Sequence, residues 1–164
     1  LLFCGGGLIS ERIVLTAGHC LFQDDVLSSP YVRVRLRLTD SSAEGGITLD
    51  AADWMRHPAY DDVRLANDVA LLLLNESVPE SLVRPMRVSD GSRSFERSGP
   101  KTIAGWGSAS GDCGHVDSLL RKAEVPLGAM DGPNCSAPGA VTITGDVGFD
   151  SASQGCAGDY RSSH

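Results

Sequence analysis

Cys4-Gly5-Gly6-Gly7-Leu8-Ile9-Ser10, followed after Glu11-Arg12-Ile13 by Val14-Leu15-Thr16-Ala17-Gly18-His19-Cys20, decides how this chain is read. Gly7–Ser10 and Ile13–Thr16 are short apolar runs joined by the polar Glu11-Arg12 pair, which predicts a tight antiparallel hairpin. The second run leads directly to His19. A histidine that takes a proton from a hydroxyl must be fixed in tautomer and orientation while staying reachable. Cys20 stands beside it, 20 − 4 = 16 positions after Cys4. A disulfide between the two would tie the histidine's loop to the hairpin. A lone histidine is more often structural than catalytic, so this segment alone leaves both roles open.

Strand signals dominate outward from there. Tyr31–Leu38 alternates, with Val32, Val34, Leu36 and Leu38 on one side and Arg33, Arg35 and Arg37 on the other. Period two predicts a half-buried antiparallel strand. Val69–Leu74 is apolar without alternation, which predicts a strand buried on both faces. Thr102–Trp106 and Lys122–Pro126 are further short candidates. The spacers carry turn chemistry, as in Glu44-Gly45-Gly46, Ser98-Gly99-Pro100 and Asp131-Gly132-Pro133. The polar stretch 89–100 reads as a connector between two halves, giving residues 1–88 as one unit and 101–164 as the next.

The bulk numbers agree with a loop-rich β protein. Nineteen glycines and eight prolines in 164 residues favour many turns over a helical bundle. A net charge of −7 argues against nucleic acid, whose phosphates such a surface would repel. No apolar run approaches the ~20 residues of a helical bilayer span. Leu1-Leu2-Phe3 lacks a basic leader region and gives way at once to glycines, so it does not read as a signal peptide. Five cysteines (Cys4, Cys20, Cys113, Cys135, Cys156) fit no CxxC metal or thioredoxin pattern. Their wide spacing suggests disulfides and an oxidising compartment. Asn75-Glu76-Ser77 and Asn134-Cys135-Ser136 are compatible with glycosylation in such a compartment.

CGGGLIS followed by VLTAGHC resembles the histidine segment of the trypsin-like serine proteases (peptidase family S1, chymotrypsin fold). The resemblance implies a Cys4–Cys20 disulfide and a general-base role for His19. Asn67-Asp68-Val69-Ala70-Leu71-Leu72 resembles the family's DIALL segment, which makes Asp68 the orienter of the histidine. An acid at the mouth of an apolar strand suits that task, since it can accept the second imidazole N–H. Trp54–Tyr60 resembles the stretch before that aspartate, and His57 within it reads as a turn residue. Ile103-Ala104-Gly105-Trp106-Gly107 resembles the segment opening the second barrel. Gly155-Cys156-Ala157-Gly158-Asp159 resembles the first half of the family's serine motif. The resemblance assigns Gly158 to the oxyanion hole, Asp159 to an ion pair with a freed N-terminus, and Gln154 to the base of the specificity pocket. A neutral amide there predicts no preference for Arg or Lys, because no buried charge would pair with the cation. Four motifs in the family's order argue against coincidence in an unrelated disulfide-stapled β domain.

After Asp159 the pattern breaks. Tyr160-Arg161-Ser162-Ser163-His164 stands where the family has Ser-Gly-Gly-Pro, so Tyr160 occupies the nucleophile position. A phenol there is bulky and would crowd the acyl site, and two lost glycines remove backbone freedom. Ser162 and Ser163 lie several Å off in an extended chain. The expected architecture is therefore an all-β, chymotrypsin-like double antiparallel β-barrel with its second barrel incomplete. Two explanations stay open: a truncation or frame change just after an intact motif, which the undamaged run up to Asp159 favours, or an inactive homologue serving as a protein-binding module. Under the first, the chain is a serine endopeptidase fragment. In either case the resemblance implies a secreted monomer that meets protein or peptide substrates and protease inhibitors. It implies no nucleic acid, membrane span, metal or cofactor. The pairing of Cys113, Cys135 and Cys156 stays undecided.

Overall fold

The computed structural model describes residues 4–23, 26–27, 30–90, 100–107 and 117–125. Among these residues nine strands run in chain order: β1 (Gly7–Leu8), β2 (Ile13–Thr16), β3 (Phe22–Gln23), β4 (Val26–Leu27), β5 (Arg33–Leu36), β6 (Ile47–Arg56), β7 (Ala70–Leu74), β8 (Lys101–Gly105) and β9 (Arg121–Val125). The one helical element among the described residues is a 3₁₀ turn, Gly18–Cys20. Five strands form an antiparallel sheet in the order β1-β2-β7-β6-β5, while β3-β4 and β8-β9 are separate two-stranded ribbons.

The predicted hairpin is present, with Gly7 opposite Leu15 and Leu8 opposite Val14. Its turn closes through Ile9 N–H to the Ile13 carbonyl (2.8 Å), and the Ser10 hydroxyl accepts from Ile13 N–H (3.1 Å). Ser10 thereby supplies the side-chain acceptor that makes serine favourable in turns. Arg12 then anchors the hairpin tip to the far end of β7. Its guanidinium donates to the Leu74 carbonyl (3.1 and 2.8 Å), and Leu74 N–H donates back to the Arg12 carbonyl (2.8 Å).

β7 departs from its sequence reading. Ala70, Leu72 and Leu74 are buried, but Leu71 and Leu73 are half-buried, so the strand has a core face and a partly open one. The core gathers Leu8, Val14, Leu21, Val32, Leu72, Leu74 and Val78 around that inner face. β5 is also shorter than its pattern. It stops at Leu36 because Arg37 takes a left-handed backbone, φ 59°. Arg35 does not simply face water: its guanidinium clips the following loop at the Ser41 and Ala43 carbonyls (2.9 and 2.8 Å). That loop turns back at Gly45 and Gly46 (φ 102° and 74°). A Cβ on Gly46 would lie 2.5 Å from the Leu36 carbonyl oxygen, so glycine is required on both conformational and steric grounds. β6, which carries no clean alternation, is the longest strand. A register shift between Ala51 and Asp53 breaks its period, as a bulge does.

The loop 39–42 also meets the β8-β9 ribbon. Ser41 N–H donates to the Ser118 carbonyl (2.7 Å), Leu120 N–H to the Thr39 carbonyl (2.6 Å), and the Trp106 indole N–H to the same Thr39 oxygen (3.2 Å). At this junction the Ser42 hydroxyl and then the Ser42 amide, with the Ser118 hydroxyl, hold the Asp40 carboxyl below its ordinary pKa. Asn75 and Ser77 of the first glycosylation triplet are exposed in the turn after β7.

Cys4 and Cys20 are bonded, with Cα atoms 6.1 Å apart, closing a 16-residue separation around the hairpin. A loop of that size confers roughly 3 kcal/mol by limiting the unfolded chain. The double substitution Cys4→Ser with Cys20→Ser is thus expected to lower the unfolding free energy by about 3 kcal/mol, measured by urea titration. Leu74, fully buried, is expected to lose about 3 kcal/mol as Leu74→Ala in the same assay, and a loss under about 1 kcal/mol would contradict its place in the core.

Candidate functional site

The register of β2 against β7 builds the site. Thr16 pairs with Ala70, so both strands end at the same edge of the sheet. The chain leaves β2 through Ala17 into the 3₁₀ turn that carries His19, and it enters β7 through Asp68. Two residues far apart in sequence therefore meet. The Asp68 carboxylate holds His19 twice: Oδ2 lies 2.7 Å from Nδ1, and Oδ1 accepts from the His19 backbone N–H at 2.8 Å. A carboxylate only accepts, so Nδ1 carries the proton and Nε2 is the free basic nitrogen when the ring is neutral.

Burial is graded across the pair. The Asp68 side chain is 20% exposed and the His19 side chain 50%. The acid is sheltered while the imidazole stays reachable, the combination that proton transfer to a bound molecule needs. Nε2 lies 3.6 Å from Cys20 Sγ, so the disulfide forms part of the ring's surroundings.

Behind the pair, Gly18 is in close contact with neighbours. A Cβ there would stand 3.1 Å from the Tyr60 ring and 3.2 Å from Asp68 Oδ1. Tyr60 in turn lies under the Arg56 guanidinium, which sits 5.4 Å from its centroid and 4.9 Å from that of Phe22, within cation–π range. His57 belongs to a turn: its Nδ1 accepts from Ala59 N–H (3.1 Å) and its carbonyl from Tyr60 N–H (3.0 Å). Sequence reading gives His57 as a turn residue but does not single out the packing roles of Gly18, Phe22, Arg56 and Tyr60. The contacts that matter are backbone approaches, and residue type alone does not announce them.

Cys4, His19 and Cys20 bring their ligand atoms within 4.8 Å of one another. The two sulfurs are bonded to each other, however, and offer no thiolate to a metal. A cavity of about 490 Å³ opens beside the disulfide, lined by Val14, Leu21, Val34, Leu72 and Trp106 among others. His19 is not among its lining residues. Gln154, Gly158, Asp159 and Tyr160 lie outside the described residues, as do Cys113, Cys135 and Cys156.

Comparison with known proteins points one way. The family model described as Trypsin matches residues 1–160. Trypsin 5G1 of Aedes aegypti is 34% identical over 126 residues, covering 76% of this chain and 45% of that protein. Brachyurin of Leptuca pugilator is 30% identical over 154 residues, covering 91% and 63%. The chain thus spans about half the length of the curated relatives it matches. A solved structure reported as "Structure of GrC" superposes with a TM-score of 0.75 over 96% of this chain and 64% of that one; at 22% identity it speaks to the fold. The architecture is the all-β chymotrypsin type, and the chain belongs to the trypsin family of serine proteases.

Proposed function

We propose that this chain is part of a serine endopeptidase domain in which His19 is the general base and then the general acid, and Asp68 its orienting carboxylate. The reaction is peptide-bond hydrolysis through an acyl-enzyme. The double hold of Asp68 on the ring and backbone of His19 carries this reading. It sets the tautomer, restricts ring rotation and favours the imidazolium that forms when a hydroxyl proton is taken. All the groups such a reaction needs are protein groups, so no cofactor enters it.

The rest of the machinery is assigned by likeness to the family. Gly158 supplies an oxyanion-hole N–H, where charge on the carbonyl oxygen develops. Asp159 pairs with a freed N-terminus. Gln154 floors the specificity pocket and favours uncharged side chains over Arg or Lys. Residues 1–88 form the first barrel, 89–100 the connector and 101–164 part of the second. The substrates are proteins or peptides met outside the cell, protease inhibitors dock in the same cleft, and the domain acts as a monomer.

Tyr160 favours a second reading for the sequence as it stands. Without a serine alcohol at that position no acyl-enzyme forms, and the cleft serves to bind a polypeptide rather than cut it. A biotinylated fluorophosphonate separates the two. The chain with Tyr160 is expected to take up no label, and labelling would overturn the account of that residue. Transcript sequencing through codon 160 and beyond tests whether a gene product with Ser-Gly-Gly-Pro exists. In such a product, His19→Ala is expected to abolish labelling and Asp68→Asn to slow turnover on the order of 10⁴-fold. Labelling that survives His19→Ala would remove His19 from the mechanism.

A further inference from the structure

The segment leading into β7 is bent in an unusual way. Leu65 and Asn67 both sit at positive φ, 48° and 54°. That region disfavours residues with a Cβ, and asparagine tolerates it better than most. The Asn67 amide nitrogen donates to the Ala59 carbonyl (2.9 Å), tying it to the turn that holds His57 and Tyr60. The Asn67 carbonyl accepts from Val69 N–H at 2.7 Å, closing a three-residue turn with Asp68 at its centre. Asp68 is not among the positive-φ residues, so this is an inverse γ-turn, a form found where strands begin. Val69 is fixed on its other side, where its carbonyl accepts from His57 N–H (3.0 Å).

β7 is locked into the sheet from Ala70 onward, so the direction of the Asp68 side chain is set by how the chain arrives at residue 68. We propose that Asn67 is a positioning residue: its left-handed backbone turns the chain so that both Asp68 oxygens face His19. An ordinary φ at 67 would bring the chain in from another direction and rotate the carboxylate off one of its two donors. The side-chain bond to Ala59 steadies this conformation but is exposed, so the backbone requirement is the stronger constraint. The inference rests on the His19–Asp68 pair and deepens it by naming what aims the acid.

The test follows the proton on His19 Nδ1 in the NMR spectrum of the chain, whose downfield position and protection from exchange with water report the hydrogen bond to Asp68. Asp68→Asn removes the accepting carboxylate, so this downfield signal is lost. Asn67→Gly keeps the positive φ and is expected to leave the signal as in the parent chain. Asn67→Ala is expected to weaken the signal and speed its exchange with water. If Asn67→Ala fails to fold while Asn67→Gly folds with the parent signal, the left-handed requirement is still supported. A folded Asn67→Ala with the parent signal overturns the proposal, and so does an Asn67→Gly that loses as much of it as alanine does. A parent-like signal in Asp68→Asn would instead remove the pair itself.

Discussion

The pairing of β2 with β7 is the constraint from which the site follows. Four residue pairs, Ile13 with Leu73 through Thr16 with Ala70, bring together segments that are otherwise distant in sequence. At one end of this ladder Arg12 and Leu74 exchange hydrogen bonds, and at the other His19 donates two to the Asp68 carboxylate. The register cannot slip by one residue without turning Val14, Leu72 and Leu74 away from the core. Each apolar side chain moved into water forfeits about 1.5–3 kcal/mol, whereas an exposed loop gains little from any alternative pairing. The packing of aliphatic side chains therefore fixes the geometry of a polar pair at the edge of the sheet.

The polar pair in turn reflects a division between rigid and local elements. Functional residues on loops depend on the scaffold beneath them, and here two devices shorten the loops. The disulfide fastens the 3₁₀ turn back to the segment that leads into β1. The bent segment 65–69 fastens Asp68 to the turn at 57–60. Between them lies Gly18, where a Cβ would force the Tyr60 ring and the Asp68 carboxylate to give way by a few tenths of an ångström. Its neighbours His19 and Cys20 supply an imidazole and a staple. Three adjacent residues thus contribute close packing, a basic nitrogen and a cross-link.

Much of this was legible in the sequence, and the parts that were not share a physical reason. VLTAGHC and DVALL could be read because an apolar strand running into a polar functional residue leaves a local pattern. The β8 and β9 segments were visible only as short candidates between turn-forming stretches. β6 was not, because its bulge after Ala51 shifts the alternation midway and places Asp50 and Asp53 among strand residues. The expected length of β5 failed at Arg37, whose positive φ no side-chain pattern signals. β7 was read as buried on both faces because leucine stands at every position from 71 to 74, yet only the alternate ones reach the core. Periodicity reports which residues can be buried, and the number of neighbouring layers decides which are.

The His19–Asp68 arrangement is built from β2, β7, the 57–69 segment and one disulfide, all among the described residues. Membership of the family and competence in its reaction are for this reason separable. A first sheet that holds an imidazole against a carboxylate needs no nucleophile to be stable, since its free energy comes from the aliphatic core and the cross-link. Selection for catalysis could lapse at position 160 without any immediate loss of fold. An undamaged His19 and Asp68 is therefore weaker evidence for activity than for ancestry. The residues that bear on activity are those whose only use is chemical, and on the proposed reading the first of them is the one at which Tyr160 stands.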